Sequence, residues 1–184
     1  MSQIRGFIPW IAFVVVATRV DWRYGALAGF VLAAALLTAD RRSGRAWDEV
    51  VIEASGVVFF AILGAVAFSV PDAPVKDYGP AMSLGWLAAT AWGSLAIRRP
   101  FTLGIARRRA PREVWELPLF HRINAVITGV WAGAFTVTAA VLAVLLHEAP
   151  QATAAVIAIK VVGFAAPGLF TALYPDRAIA RHAA

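Results

Sequence analysis

Cysteine is absent from the 184 residues, which excludes disulfides, thiolate metal sites and thiol catalysis. Charge is scarce: Asp, Glu, Lys and Arg make up 15% of the chain, against 60% hydrophobic residues and a mean hydropathy of +0.71. Soluble domains average about 25% charged residues, so this composition does not suit a chain folded in water. Histidine occurs three times, and no spacing makes a ligand set. His121 and His147 stand 26 residues apart, about 39 Å along a helix, and His182 has no companion. Metal, cofactor and catalytic motifs are all missing. An enzyme is the weakest reading, because group transfer or hydrolysis needs convergent acid, base or metal groups.

What is present is a series of apolar runs. From Ile123 to Leu146 there are 24 residues without an ionisable side chain, and about 20 apolar residues in helix cross the hydrocarbon core of a bilayer. Similar runs cover Gly6–Thr18, Tyr24–Ala39, Ala54–Pro71, Tyr78–Ile97 and Ala149–Pro175, the last interrupted only by Lys160. They predict an all-α integral membrane bundle of six transmembrane helices, one membrane domain over residues 1–184. The first two runs, at 13 and 16 residues, are short for a crossing. Their ends must snorkel through Arg19 and Arg23, with Asp21 between them as a local partner; a shallow hairpin is the alternative. The first run resembles a signal peptide in layout, but Arg19-Val-Asp-Trp22 offers no small-x-small cleavage pattern.

Basic residues set the orientation, since short loops retained in the cytoplasm carry the Lys and Arg excess. Of the 17 basic residues, 13 fall at the N-terminus, the second and fourth connections and the tail, and three (Arg19, Arg23, Lys76) on the other side. Both termini are therefore expected in the cytoplasm. The net charge of +6 then points to anionic lipid headgroups rather than to nucleic acid.

The fourth connection, residues 98–122, concentrates this charge in Arg98, Arg99, Arg107, Arg108, Arg109, Arg112 and Arg122. Apolar Val114, Trp115, Leu117, Leu119 and Phe120 lie among them, a pattern for a segment lying on the inner leaflet. Arg98, Arg99, Arg107, Arg108, Arg109, Arg112 and Trp115 are the candidate lipid- or partner-binding residues; enforcing topology alone is the plainer role for the same charges. Three polar groups fall within spans: Lys160, Glu53 and Asn124. Lys160 suggests a substrate or proton site, or a stem that snorkels to the interface; a retinal Schiff base fails on helix count and for want of a counter-ion. Glu53 is expected to pair with Arg45 or Arg122, and Asn124 to hydrogen-bond to a neighbouring helix.

Gly25-xxx-Gly29 and Gly129-xxx-Gly133 allow close helix approach, in a bundle or a homo-oligomer. Arg41-Arg42…Arg45-Ala-Trp47 and Arg108-Arg109…Arg112-Glu-Val-Trp115 echo one another, too loosely for a repeat. Phe7-Ile-Pro9, Arg98-Arg99-Pro100-Phe101, Trp115 followed by Ile123-Asn124 and Trp131, and Ile159-Lys160-Val-Val-Gly163 together resemble, at a distance, the intracellular septation protein A family of bacterial inner-membrane proteins. That resemblance implies a non-enzymatic role in envelope upkeep and septation, through contacts with cell-division or cell-wall synthesis proteins. A small transporter or lipid translocator, with Lys160, Glu53 and Asn124 along a polar path, is the rival reading.

Overall fold

The computed structural model describes residues 6, 8–108 and 110–183, and every regular element among them is helical. Seven α-helices follow in order: α1 (Ile8–Arg19), α2 (Trp22–Arg42), α3 (Val51–Ser69), α4 (Gly79–Ala96), α5 (Phe101–Arg107), α6 (Pro118–Glu148) and α7 (Thr153–Ala183). Six of them contain or closely match the six apolar runs, and α5 is an addition. Four helices are long and apolar enough to cross a membrane: α2, α3, α6 and α7, the mark of a membrane protein. The second apolar run proves less short than it reads, because α2 takes in Arg23 at one end and Asp40 to Arg42 at the other and reaches 21 residues, about 31 Å. α1 has only 12 residues. α4 has 18 without an ionisable group, but its Gly, Ser, Thr and Trp residues dilute its hydropathy.

Helix ends follow local chemistry. Asp21 caps α2, its side chain accepting the Arg23 backbone N–H at 2.8 Å, and Pro118 opens α6, where the missing N–H costs no intrahelical bond. α2 closes in a Schellman turn: Gly44 sits at φ +81°, its N–H donates to the Arg41 carbonyl, and the Arg45 N–H reaches Asp40 at 3.2 Å. α7 runs on through Pro167 and Pro175, well past the end of its apolar run, so Arg177 and Arg181 are helical. Each Pro removes one backbone bond, and the Thr171 hydroxyl donates to the Pro167 carbonyl at 2.8 Å.

Contacts divide the chain into two compact units, residues 1–76 and 77–184. In the first, α2 packs against both α1 and α3. Trp10 of α1 lies 4.9 Å from both Phe59 and Phe60 of α3, and Phe13 lies 5.7 Å from Phe60. Trp22, beside a span end where an indole suits the interface, is buried, its N–H donating 2.9 Å to the Pro71 carbonyl. The first GxxxG is consumed here. A Cβ on Gly25 would stand 2.9 Å from the Phe13 carbonyl oxygen, and one on Gly29 would stand 2.6 Å from the Phe60 ring.

In the second unit α6 is central, packing on α4, α5 and α7. Trp131 and Phe135 of α6 meet Phe164 of α7 at 6.0 and 5.5 Å, and the Trp131 indole donates to the Thr171 hydroxyl at 2.9 Å. Gly163 lets α7 close on the Thr138 side chain. Trp92, in the middle of the fourth apolar run, is half exposed and donates to the Thr136 hydroxyl at 3.1 Å. His147 bonds the Tyr78 hydroxyl at 3.2 Å, tying the end of α6 to the start of α4. The second GxxxG stays open: a Cβ on Gly129 or Gly133 would meet nothing within 4 Å.

Candidate functional site

The arginine-rich fourth connection is not a free loop. α4 ends in a second Schellman turn, with the Arg99 N–H donating to Ser94 at 2.8 Å and the Arg98 N–H to Leu95 at 2.9 Å. Arg98 occupies the left-handed position at φ +56°, where glycine is the usual residue. Ser94 then turns its hydroxyl to both neighbours, donating to Ala91 at 2.7 Å and accepting the Phe101 N–H at 3.2 Å. Pro100 cannot extend a helix backwards, so α5 begins after it.

Phe101, Thr102, Leu103 and Gly104 of α5 are all buried. The Thr102 hydroxyl donates 2.9 Å to the Asn124 carbonyl of α6 and stands 2.8 Å from the Thr128 hydroxyl. Asn124 is itself 3% exposed. Its side-chain amide, expected to hydrogen-bond to a neighbouring helix, instead donates to the Phe120 carbonyl one turn back, at 2.9 Å, and the crossing bond is accepted by its backbone carbonyl. A buried hydroxyl left unpaired costs about 1 to 3 kcal/mol, so this cluster fixes α5 against α6. Pro100 to Ala106 is charge-free, which is the signal in the sequence that the segment turns inward.

Beyond α5 the chain returns to the surface with its charges. The indole N–H of Trp115 donates to the Ala110 carbonyl at 3.0 Å, and the guanidinium groups of Arg107 and Arg112 stand 5.4 and 5.8 Å from the Trp115 ring, within cation–π range. Three of the expected binding residues thus form one cluster. Arg98 and Arg99 are exposed at the far end of the connection, Arg108 is half-buried, and Arg109 lies outside the described residues. Among the described residues Arg98, Arg99, Arg112 and Arg122 have no carboxylate partner. The shorter connection after α2 repeats the device. Arg41 lies 4.3 Å over the Trp47 ring and donates to the Arg45 carbonyl. Arg45 does not pair with Glu53; it closes on the buried Asp40 at 2.6 Å.

The polar residues expected at membrane depth are divided between the two units. Glu53 is half-buried in the first unit, its carboxylate beside Gly6, while Asn124 and Lys160 belong to the second. Lys160 is half-buried about 10 Å into α7 and has no hydrogen-bond or ion-pair partner among the described residues. No known protein family, curated protein or solved structure matches this chain.

Proposed function

We propose that this chain is a six-crossing protein of a bacterial inner membrane, with both termini in the cytoplasm, whose basic connection binds anionic lipid headgroups. The observation that carries the proposal is the Trp115 cluster: an amphipathic indole with two guanidinium groups within cation–π range of its ring. Tryptophan prefers the headgroup level, and each Arg near an anionic leaflet contributes about 1 kcal/mol. Docked through Thr102 to α6, α5 holds this charged surface in place, where a free loop would pay to order it. Both basic connections, after α2 and after α4, then fall on the cytoplasmic side with their Arg–Trp stacks, and a helix count of six is the parity that gathers 13 basic residues there.

The role is non-enzymatic, and the resemblance to the septation family supports envelope upkeep through division or cell-wall synthesis proteins recruited to the same surface. Transport has no comparable support, since Asn124 spends its amide on its own helix. The test is lipid enrichment around the purified protein in nanodiscs of phosphatidylglycerol and phosphatidylcholine. The R107Q/R112Q double variant is expected to lose most of the phosphatidylglycerol enrichment; enrichment equal to the unmodified protein's would remove the proposal.

A further inference from the structure

α2 and α3 close tightly at one point and part at another. At Gly29 the Phe60 ring fills the seam. Toward the start of α2 and the end of α3 an open groove of about 260 Å³ is lined by Leu27, Phe30, Phe60, Ala61, Gly64 and Phe68. A Cβ on Gly64 would meet nothing within 4 Å. The groove is apolar, so water, which needs polar partners, is not its occupant. A cavity of about 150 Å³ takes a benzene-sized guest, and this one has room for a longer stretch of hydrocarbon chain.

The surroundings at its end specify the rest of the molecule. Tyr24 and Phe68, both about half exposed, meet edge to face at 6.4 Å. Arg23 lies one helical turn before Leu27 and so on the same face of α2. It pairs with Asp21 at 2.8 Å, Lys76 pairs with Asp72 at 3.3 Å, and Asp72 is within electrostatic reach of Arg23, as Lys76 is of Asp21. Two cations and two anions share this end. An anionic headgroup would meet as much repulsion as attraction there, whereas a zwitterionic one can set its phosphate against a cation and its ammonium against a carboxylate.

We propose that this groove is a resident lipid site, holding one acyl chain of a zwitterionic phospholipid whose headgroup lies on the Asp21, Arg23, Asp72 and Lys76 cluster. The site rests on the membrane reading above and is separate from the anionic-lipid surface of the fourth connection. An acyl chain entering it leaves one hydrocarbon medium for another, so retention comes from close contact with the aromatic walls and from the headgroup, not from transfer out of water.

The test is native mass spectrometry of the full chain released in mild detergent from membranes containing phosphatidylethanolamine and phosphatidylglycerol. The unmodified protein is expected to carry one phosphatidylethanolamine. Gly64→Leu, which fills the groove, should bring that adduct to background, and Gly64→Ala should lower it. Gly85→Leu, at an equally open position on α4, should leave it unchanged, with melting curves showing that each variant is folded. R23Q/D72N should shift the headgroup preference. An adduct insensitive to Gly64→Leu, a preference for phosphatidylglycerol, or a second copy of the chain seated in place of lipid would each overturn the proposal. A chain missing from the membrane fraction would instead refute the membrane reading itself.

Discussion

Replacing Gly29 with alanine tests how the first unit is held together. A Cβ there would stand 2.6, 2.7 and 2.9 Å from three carbons of the Phe60 ring, against the 3.5 to 4.0 Å of an ordinary carbon contact (about 1 Å too close). The ring resists displacement, because Phe60 is fully buried and held by Trp10, Phe13 and Phe59. Overpacking of this kind costs roughly 1 to 3 kcal/mol, while losing a helical glycine returns up to about 1 kcal/mol. A net loss of about 1 to 2 kcal/mol follows, about a tenfold change in the unfolding equilibrium. Gly133→Ala, in the open GxxxG, carries the same helix gain without a clash and should be neutral or stabilising. Unfolding by dodecyl sulfate in mixed micelles, followed by tryptophan fluorescence with Trp10 stacked in the affected cluster, measures both. Phe60→Leu should relieve the clash, with a coupling of about 0.5 to 3 kcal/mol to Gly29→Ala in a double-mutant cycle. Equal stability of the Gly29 and Gly133 variants, or zero coupling to Phe60, would refute the reasoning.

Further outcomes follow from other sites. Gly163→Ala should destabilise by about 1 to 2 kcal/mol, because its Cβ would collide with Thr138 Oγ1 and come within 2.9 Å of Cγ2; Thr138→Ala should recover part of this in the same titration. Arg98→Gly should stabilise by about 1 kcal/mol, since a residue with a Cβ is strained at this left-handed position; a lower melting temperature would contradict it. Thr102→Val removes the hydroxyl between Asn124 and Thr128, and hydrogen exchange at Phe101 to Arg107 should accelerate while α6 stays protected; uniform protection would show that α5 is held otherwise. The Arg23 side chain and backbone N–H hold the Asp21 carboxyl below its usual 3.8. A depressed acid contributes stability above its unfolded value and loses it as pH falls through the folded one. Melting curves of the unmodified protein and Asp21→Ala should therefore differ at neutral pH and converge under acid; a gap that widens there would reverse the sign.

Charge-free length made most of the fold legible, because in lipid a helix must satisfy its own backbone, and apolar runs therefore become helices. What escaped was set by pairing across space. α5 hides between two groups of arginines, and nothing local shows that Thr102 will meet the Asn124 carbonyl and Thr128. Trp22 reads as an interfacial residue until Pro71 supplies an acceptor for its indole. The two GxxxG motifs look alike in sequence, yet only Gly25 and Gly29 have neighbours that need the space. The last span reads as ending at Pro175, with Arg177 and Arg181 in a tail beyond it, but α7 carries both Pro167 and Pro175 inside one helix that continues to Ala183. Of the candidate site, the residue types around Trp115 were legible, while the stack of Arg107 and Arg112 on its ring depends on the turn at Pro111. The Arg45 to Asp40 pair, in place of one to Glu53, follows from the Schellman turn at Gly44, which brings residue 45 back over the helix end.

The absence of cysteine from the chain makes sidedness directly measurable with single introduced thiols. Ser43→Cys, Asp77→Cys, Glu113→Cys and Gln151→Cys all lie at exposed positions in successive connections. A membrane-impermeant maleimide applied to intact spheroplasts should label the variants at 77 and 151, and reach those at 43 and 113 only after lysis. Labelling of positions 113 and 151 from the same side would contradict the topology on which the basic surface depends.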